Sequence, residues 1–151
     1  MRVIIQRVKE ASCLVDNKTT GKIDTGYMLL VGFGLDDTKS VVEKVANKIS
    51  KLRIFDDENG KINKSIFDVN GKILSISQFT LYGDIKGGNR PAFVNALGGN
   101  QAKELYDFFN RYLRELGLEV EEGIFGADMK ISLINDGPVT IVVDSKELNY
   151  D

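Results

Sequence analysis

Two short segments far apart in the chain, Ser77-Gln78-Phe79-Thr80 and Asn135-Asp136-Gly137-Pro138-Val139-Thr140, hold the residue types best suited to build a site. The first sets two hydroxyls and a side-chain amide at the end of a strongly apolar stretch, just ahead of Leu81-Tyr82-Gly83-Asp84. Polar groups gathered at a strand end fit a pocket rim; taken alone, they fit the solvent face of an edge strand equally well. The second segment reads as a rigid turn, because Gly137 is free to take positive backbone angles and Pro138 fixes its own φ. Proline also lacks an N–H, so such a loop presents carbonyl oxygens. X-Pro bonds are cis in only ~5–6% of folded cases, so the segment by itself predicts an ordinary trans turn.

An absence narrows the chemistry further. The sequence contains 0 histidines, which removes every mechanism that needs an imidazole base, acid or metal ligand. Cys13 is the sole cysteine, so an internal disulfide and a cysteine-based zinc site are both excluded. Acidic residues are scattered, and the densest run, Asp56-Asp57-Glu58-Asn59-Gly60, reads as a polar turn; neither a metal nor another cofactor is expected. The formal net charge is -2, so contact with nucleic acid has to be local. Lys86-Gly87-Gly88-Asn89-Arg90 could meet phosphates if folding brings Arg2, Arg7 or Lys130 near it; a solvated loop is the plainer reading.

The elements that must position these residues follow from hydrophobic patterning. The chain has 151 residues, 42% hydrophobic and 28% charged, a globular balance that fits one domain over residues 1–145 with a frayed tail over 146–151. Gln6, Arg7 and Lys9 interrupt the opening apolar residues, and the longest apolar run, Tyr27 to Leu35, is broken by Gly32 and Gly34. Neither a secretory signal nor a membrane span is expected, and a cytoplasmic location follows by default. Alternation predicts strands at Arg2–Val8, around Ala11–Val15, at Lys18–Ile23 and at Tyr27–Phe33, the last buried on both faces.

Val41, Val42, Val45, Ala46, Ile49 and Leu52 recur at helical spacing behind capping residues. Leu52 to Phe55 then returns to strand spacing, and Lys72 to Leu81 alternates for ten residues. A short helical turn is predicted at Pro91, and a second long helix carries the stripe from Ala102 to Leu116, stopped by Gly117. Leu118–Glu121, Met129–Asn135 and Val139–Asp144 read as closing strands, the last two joined by a turn at Asp136-Gly137-Pro138. Strands and helices are mixed, which indicates an α/β layered fold.

With those segments in view, the sequence resembles the D-aminoacyl-tRNA deacylases from Met1 to Asp144. The resemblance rests on Gln6-Arg7-Val8, Leu52-Arg53-Ile54-Phe55, Ser77-Gln78-Phe79-Thr80-Leu81-Tyr82, Arg90-Pro91, Phe125-Gly126-Ala127-Asp128-Met129 and Asn135-Asp136-Gly137-Pro138-Val139-Thr140. Ala92 departs from the pattern, since relatives often carry serine there. The resemblance implies a layered β/β/α fold with a hairpin-rich, barrel-like sheet packed by two main helices. It implies hydrolysis of the ester joining a D-amino acid, or glycine, to the 3'-terminal adenosine of tRNA. It further implies a homodimer in which a Gly-cis-Pro loop of one subunit enters the pocket of the other.

Carried onto this sequence, Gly137 and Pro138 form a gate that rejects L-amino acids by exclusion, and Arg7 braces it. Ser77 and Gln78 orient the adenosine and amino group, Met129 lines the adenine side, and Asn135 belongs to the same substrate-binding set. Thr80 lacks any histidine or lysine in either signature to activate it as a nucleophile. Backbone N–H groups around Phe79 and Thr80, acting as an oxyanion hole for an attacking water, are the simpler expectation.

Overall fold

The computed structural model describes residues 1–148. Its organising element is β1 (Arg2–Val15), which pairs with β2 (Lys18–Ile23) along its second half and with β3 (Gly26–Gly32) along its first. A two-residue turn with positive φ at both Asp16 and Asn17 joins β1 to β2, the geometry whose twist suits a tight hairpin. Along its other edge β1 pairs with β8 (Lys130–Asp144).

Register in that pair slips between Val8↔Asn135 and Glu10↔Ile134, leaving Lys9 as an extra residue on β1. An extra residue reverses which face the following side chains take. Before it, Val3 and Ile5 point to the main core while Val8 points the other way; beyond it, Ala11 and Cys13 join Val8 in a second apolar cluster with Met28, Leu74 and Ile76. One strand thereby serves two cores.

The remaining sheet is parallel, and its crossovers supply the helical layer. From β3 the chain runs through α1 (Lys39–Lys51) and a small antiparallel pair, β4 (Phe55–Asp56) with β5 (Ile62–Lys64), before β6 (Lys72–Ser77) aligns parallel to β3. It then passes through α2 (Gly99–Glu115) to β7 (Val120–Glu122), parallel to β6. Thr38 caps α1 by accepting from the Val41 N–H, and both helices turn their apolar stripes onto the sheet. Phe109 and Leu113 of α2 are fully buried; truncating a core aromatic such as Phe109 to alanine costs roughly 3–5 kcal/mol. The sheet curls until β2 lies over β7: a Cβ on Gly21 would come within 3.0 Å of both Glu121 Cβ and the Glu122 oxygen, so the barrel is nearly closed.

Several elements differ from the pattern-based expectations. The alternation through Leu81 does not hold as strand; β6 stops at Ser77 and Phe79–Tyr82 winds into a 3-10 helix. Pro91 begins no helical turn, since Ala92 instead exchanges both backbone hydrogen bonds with Asp84. Of the stretch Leu52 to Phe55 only Phe55 enters a strand. The two closing strands are one continuous strand, and Asp136-Gly137-Pro138 interrupts it rather than reversing it. Of the expected frayed tail, Lys146 and Glu147 belong to a 3-10 turn that begins at Ser145, which is buried and whose N–H donates to the Met1 carbonyl. The part of that tail from 149 to 151 lies outside the described residues.

Candidate functional site

A cleft of about 350 Å³ opens where β3, β6 and α2 meet. Ser77 sits opposite Val31 in the parallel ladder, and the Gln78 N–H makes a last bond of 2.7 Å to the Val31 carbonyl before the chain leaves the sheet. Gly32 permits that exit, because a Cβ there would lie 2.7 Å from the Gln78 oxygen. The Leu81 N–H donates back to Gln78 and the Gly83 N–H to Thr80, closing the 3-10 turn. The first N–H groups of a helix have no partner inside it. Accordingly, among the described residues the Phe79 and Thr80 N–H groups donate to no protein acceptor; both residues are exposed, and Phe79 lines the cleft.

The cleft walls are apolar. Phe79, 55% exposed, meets Phe93 edge to face at 5.0 Å, and Phe125 and Leu97 complete the lining. α2 begins there at Gly98 and Gly99, with no side chain capping it, so its electropositive end faces the same space. Among the described residues no charged side chain lines the cleft. Thr80 Oγ1 accepts a hydrogen bond from Gln78 Nε2, and among the described residues no Lys or Arg side chain bonds to it. Behind the wall, the Tyr106 hydroxyl donates to the Ser75 carbonyl at 2.6 Å. Burial pushes this phenol up to about 12, so it stays protonated and acts as a strut for β6 rather than as an acid or base.

The second segment lies on β8. Gln6 pairs with Thr140 and Val8 with Asn135, so four residues, Asp136 to Val139, stand opposite Arg7 alone and bulge from the strand. Arg7, only 4% exposed, holds the bulge: Nε donates to the Asp136 carbonyl at 2.9 Å, while Nη1 donates to the Ile54 carbonyl at 2.8 Å and to Asp56 Oδ1 at 3.2 Å. The Gly137–Pro138 peptide bond is cis. Gly137 has φ +124, and a Cβ there would sit 2.8 Å from Arg7 Nη2, so both backbone angle and space demand glycine. Gly137 and Pro138 are exposed.

A single chain does not bring the two segments together. The cleft is level with Gly32, the bulge level with Tyr27; five residues of β3 separate them, roughly 16 Å at strand spacing. Met129 does not line the cleft; its sulfur lies where a Gly123 side chain would come within 2.5 Å, and it packs onto the second core. Asn135 is exposed on β8. Sequence reasoning missed Phe93, Leu97 and the Gly98-Gly99 start of α2 as cleft residues, and Ile54 and Asp56 as the anchors of Arg7. The glycine pair was a usable signal, since it stands where a helix normally carries Ser, Thr, Asp or Asn. Among the described residues no three His, Cys, Asp or Glu side chains converge as a metal site would require, and no helix is long and apolar enough to cross a membrane.

The chain matches known proteins over nearly its whole length. The family profile described as D-Tyr-tRNA(Tyr) deacylase aligns with residues 4–144. A D-aminoacyl-tRNA deacylase of Bacillus cytotoxicus is 57% identical over 146 residues, covering 97% of this chain and 100% of the relative. That of Bacillus thuringiensis is 56% identical over the same span and shares. Among solved structures, one of a c-Myc DNA unwinding element binding protein superposes with a TM-score of 0.89 at 39% identity, covering 95% of this chain and 98% of that one. A probable eukaryotic D-amino acid tRNA deacylase, with a TM-score of 0.81 at 21% identity over 94% and 97% of the two chains, shares the fold. The profile match and the whole-length identity to these relatives together establish that this chain belongs to the D-aminoacyl-tRNA deacylase family.

Proposed function

We propose that this protein hydrolyses the ester between a D-amino acid and the 3'-terminal adenosine of tRNA, releasing the free amino acid and the tRNA. It acts as a cytoplasmic homodimer that proofreads chirality. The observation that carries the reading is a pair of unpartnered N–H groups, one on Phe79, which lines the uncharged cleft, and one on Thr80 next to it. Donors fixed in place before reaction stabilise the oxyanion that forms when a carbonyl is attacked, and an apolar surround strengthens them. Water adds to the ester carbonyl; the tetrahedral intermediate then expels the ribose 3'-oxygen, which leaves protonated. Among the described residues no side chain on the cleft wall can act as a base, so the substrate's own 2'-hydroxyl helps relay the proton. Ser77 and Gln78 orient the adenosine and the amino group.

Selectivity comes from the other segment. The roughly 16 Å within one chain leaves the cleft without the Gly137-Pro138 bulge, and a second subunit supplies it. Support comes from β8, which among the described strands pairs with β1 only and exposes Ile134 and Val142. An unpaired edge with apolar side chains is a ready surface for a second chain. Carbonyl oxygens of the bulge, which Arg7 anchors through the Asp136 carbonyl, fill the volume an L-side chain needs, whereas a D-side chain points away; glycine, lacking one, is not rejected.

The decisive assay follows deacylation of D-tyrosyl-, L-tyrosyl- and glycyl-tRNA by the purified protein. Hydrolysis of the D- and glycyl esters with the L-ester spared is expected; equal rates on D and L, or none on either, would sink the proposal. A monomer by light scattering at assay concentration would remove the shared site.

A further inference from the structure

The segment carrying the cleft has a charge balance opposite to that of the whole chain. Between Ile73 and Ala102 the only charged residues are Asp84, Lys86 and Arg90, a net positive stretch in a protein of net charge -2. These three belong to one loop, which springs from the 3-10 turn bearing Phe79 and Thr80 and returns at Phe93. Its base is closed by two backbone bonds, Asp84 N–H to Ala92 at 2.7 Å and Ala92 N–H to Asp84 at 2.9 Å. It is packed against the cleft wall too: a Cβ on Gly83 would lie 3.2 Å from Phe93 and 3.7 Å from Pro91.

The charges divide unequally. Asp84 turns inward, accepting from the Lys86 N–H at 2.9 Å. Among the described residues the side chains of Lys86 and Arg90 have no ion-pair or hydrogen-bond partner, and both are exposed. Gly87 and Gly88 between them have nothing within 4 Å of a built Cβ, so the backbone there is open as well. Other cations that could have joined them are committed elsewhere. Arg7 holds the bulge on β8, Lys130 pairs with Asp128, and Arg2 pairs with Asp144 and donates to the Leu81 carbonyl.

We propose that the Ile85–Pro91 loop is a clamp for the phosphodiester backbone of the single-stranded RNA leading into the cleft, with Lys86 and Arg90 as its contacts. Seven residues reach out no more than about 12 Å before returning, so the loop stays beside the 3-10 turn that borders the cleft. An oligonucleotide whose terminal nucleoside occupies the cleft must carry its preceding phosphates past the cleft mouth. The apolar lining has no charge to offer them, and the loop does. This inference rests on the deacylase reading and adds the element by which a tRNA is told from a small aminoacyl ester.

The test uses the full chain with Lys86→Gln and Arg90→Gln, singly and together, on two substrates: D-tyrosyl-tRNA and the D-tyrosyl ester of adenosine, which has no phosphate. Two contacts to a single strand give a salt slope of about -1.4, so the parent's kcat/KM on the tRNA should fall about sevenfold between 50 and 200 mM salt from these contacts. The double variant should lose that part of the dependence, each single variant about half of the slope, through KM rather than kcat. Hydrolysis of the adenosine ester should not change, and an unchanged melting temperature certifies the fold. Equal losses on both substrates, or an unaltered salt slope on the tRNA, would overturn the clamp while leaving the deacylase reading intact. Failure of the parent on both substrates would remove that reading and the clamp with it.

Discussion

Both candidate segments interrupt a β-strand, but in different ways. At Ser77 the strand ends: the chain crosses Gly32, tightens into a 3-10 turn, and leaves two N–H groups without a protein acceptor among the described residues, one of them on the cleft-lining Phe79. At Asp136 the strand continues: four residues bow out opposite one, and pairing with β1 resumes at Thr140. The first interruption frees donors. The second, with a proline lacking its N–H and Arg7 holding the Asp136 carbonyl, presents acceptors. Donors suit a developing oxyanion and acceptors suit exclusion, so under the proposed function chemistry and selectivity can be perturbed separately.

The largest effect should come from deleting a donor. Proline is sterically welcome at the first position of a helix, and Gln78 before it already has an extended φ, so Phe79→Pro removes one N–H with little distortion. Single-turnover kcat on D-tyrosyl-tRNA should fall about 10²–10³-fold. Phe79→Ala, which keeps the N–H and loses only the ring, should lose far less; equal losses would dissolve the donor role. Gly137→Ala tests the other side. With φ at +124 and Arg7 in the way, the bulge has to move, and the D-to-L rate ratio should drop about 10²-fold while D-ester turnover is kept. A ratio unchanged by this substitution would break the assignment of selectivity to β8.

Arg7→Lys sharpens the contrast at smaller scale. One ammonium cannot reach Asp136, Ile54 and Asp56 together, and a carbonyl left without its donor costs about 1–3 kcal/mol, readable in urea unfolding. L-ester hydrolysis should rise in step. The smallest effect is expected from Thr80→Ala, which keeps the backbone donor: turnover should stay within about threefold of the parent. A loss as deep as that of Phe79→Pro would make Thr80 a nucleophile.

Helices and most strands were legible in the sequence because each buries one face against the sheet, and periodicity reports that directly. The misreadings have a common cause. Residues 79–82 continue the alternation of β6, yet the chain has run out of a partner: β3 ends at Gly32, so the backbone satisfies itself in a 3-10 turn. Gly137-Pro138 carries turn chemistry, but long-range pairing with β1 on either side overrides it. In the site, Ser77, Gln78 and Arg7 were visible as residue types in suggestive company. Phe93 and Leu97 reach the cleft from a loop of no clear pattern, and the Ile54 carbonyl that anchors Arg7 has no signature at all, being backbone.

The extra residue at Lys9 bears on how the molecule comes apart. Because β1 puts Val3 and Ile5 into one core and Val8, Ala11 and Cys13 into the other, neither cluster can be exposed without disturbing the strand the other rests on. Amide protons of β1 should therefore exchange together and only through global opening, and the melting of the helical layer and of the barrel interior should coincide in a single transition. A strand shared in this way ties the unfolding of each core to that of the other.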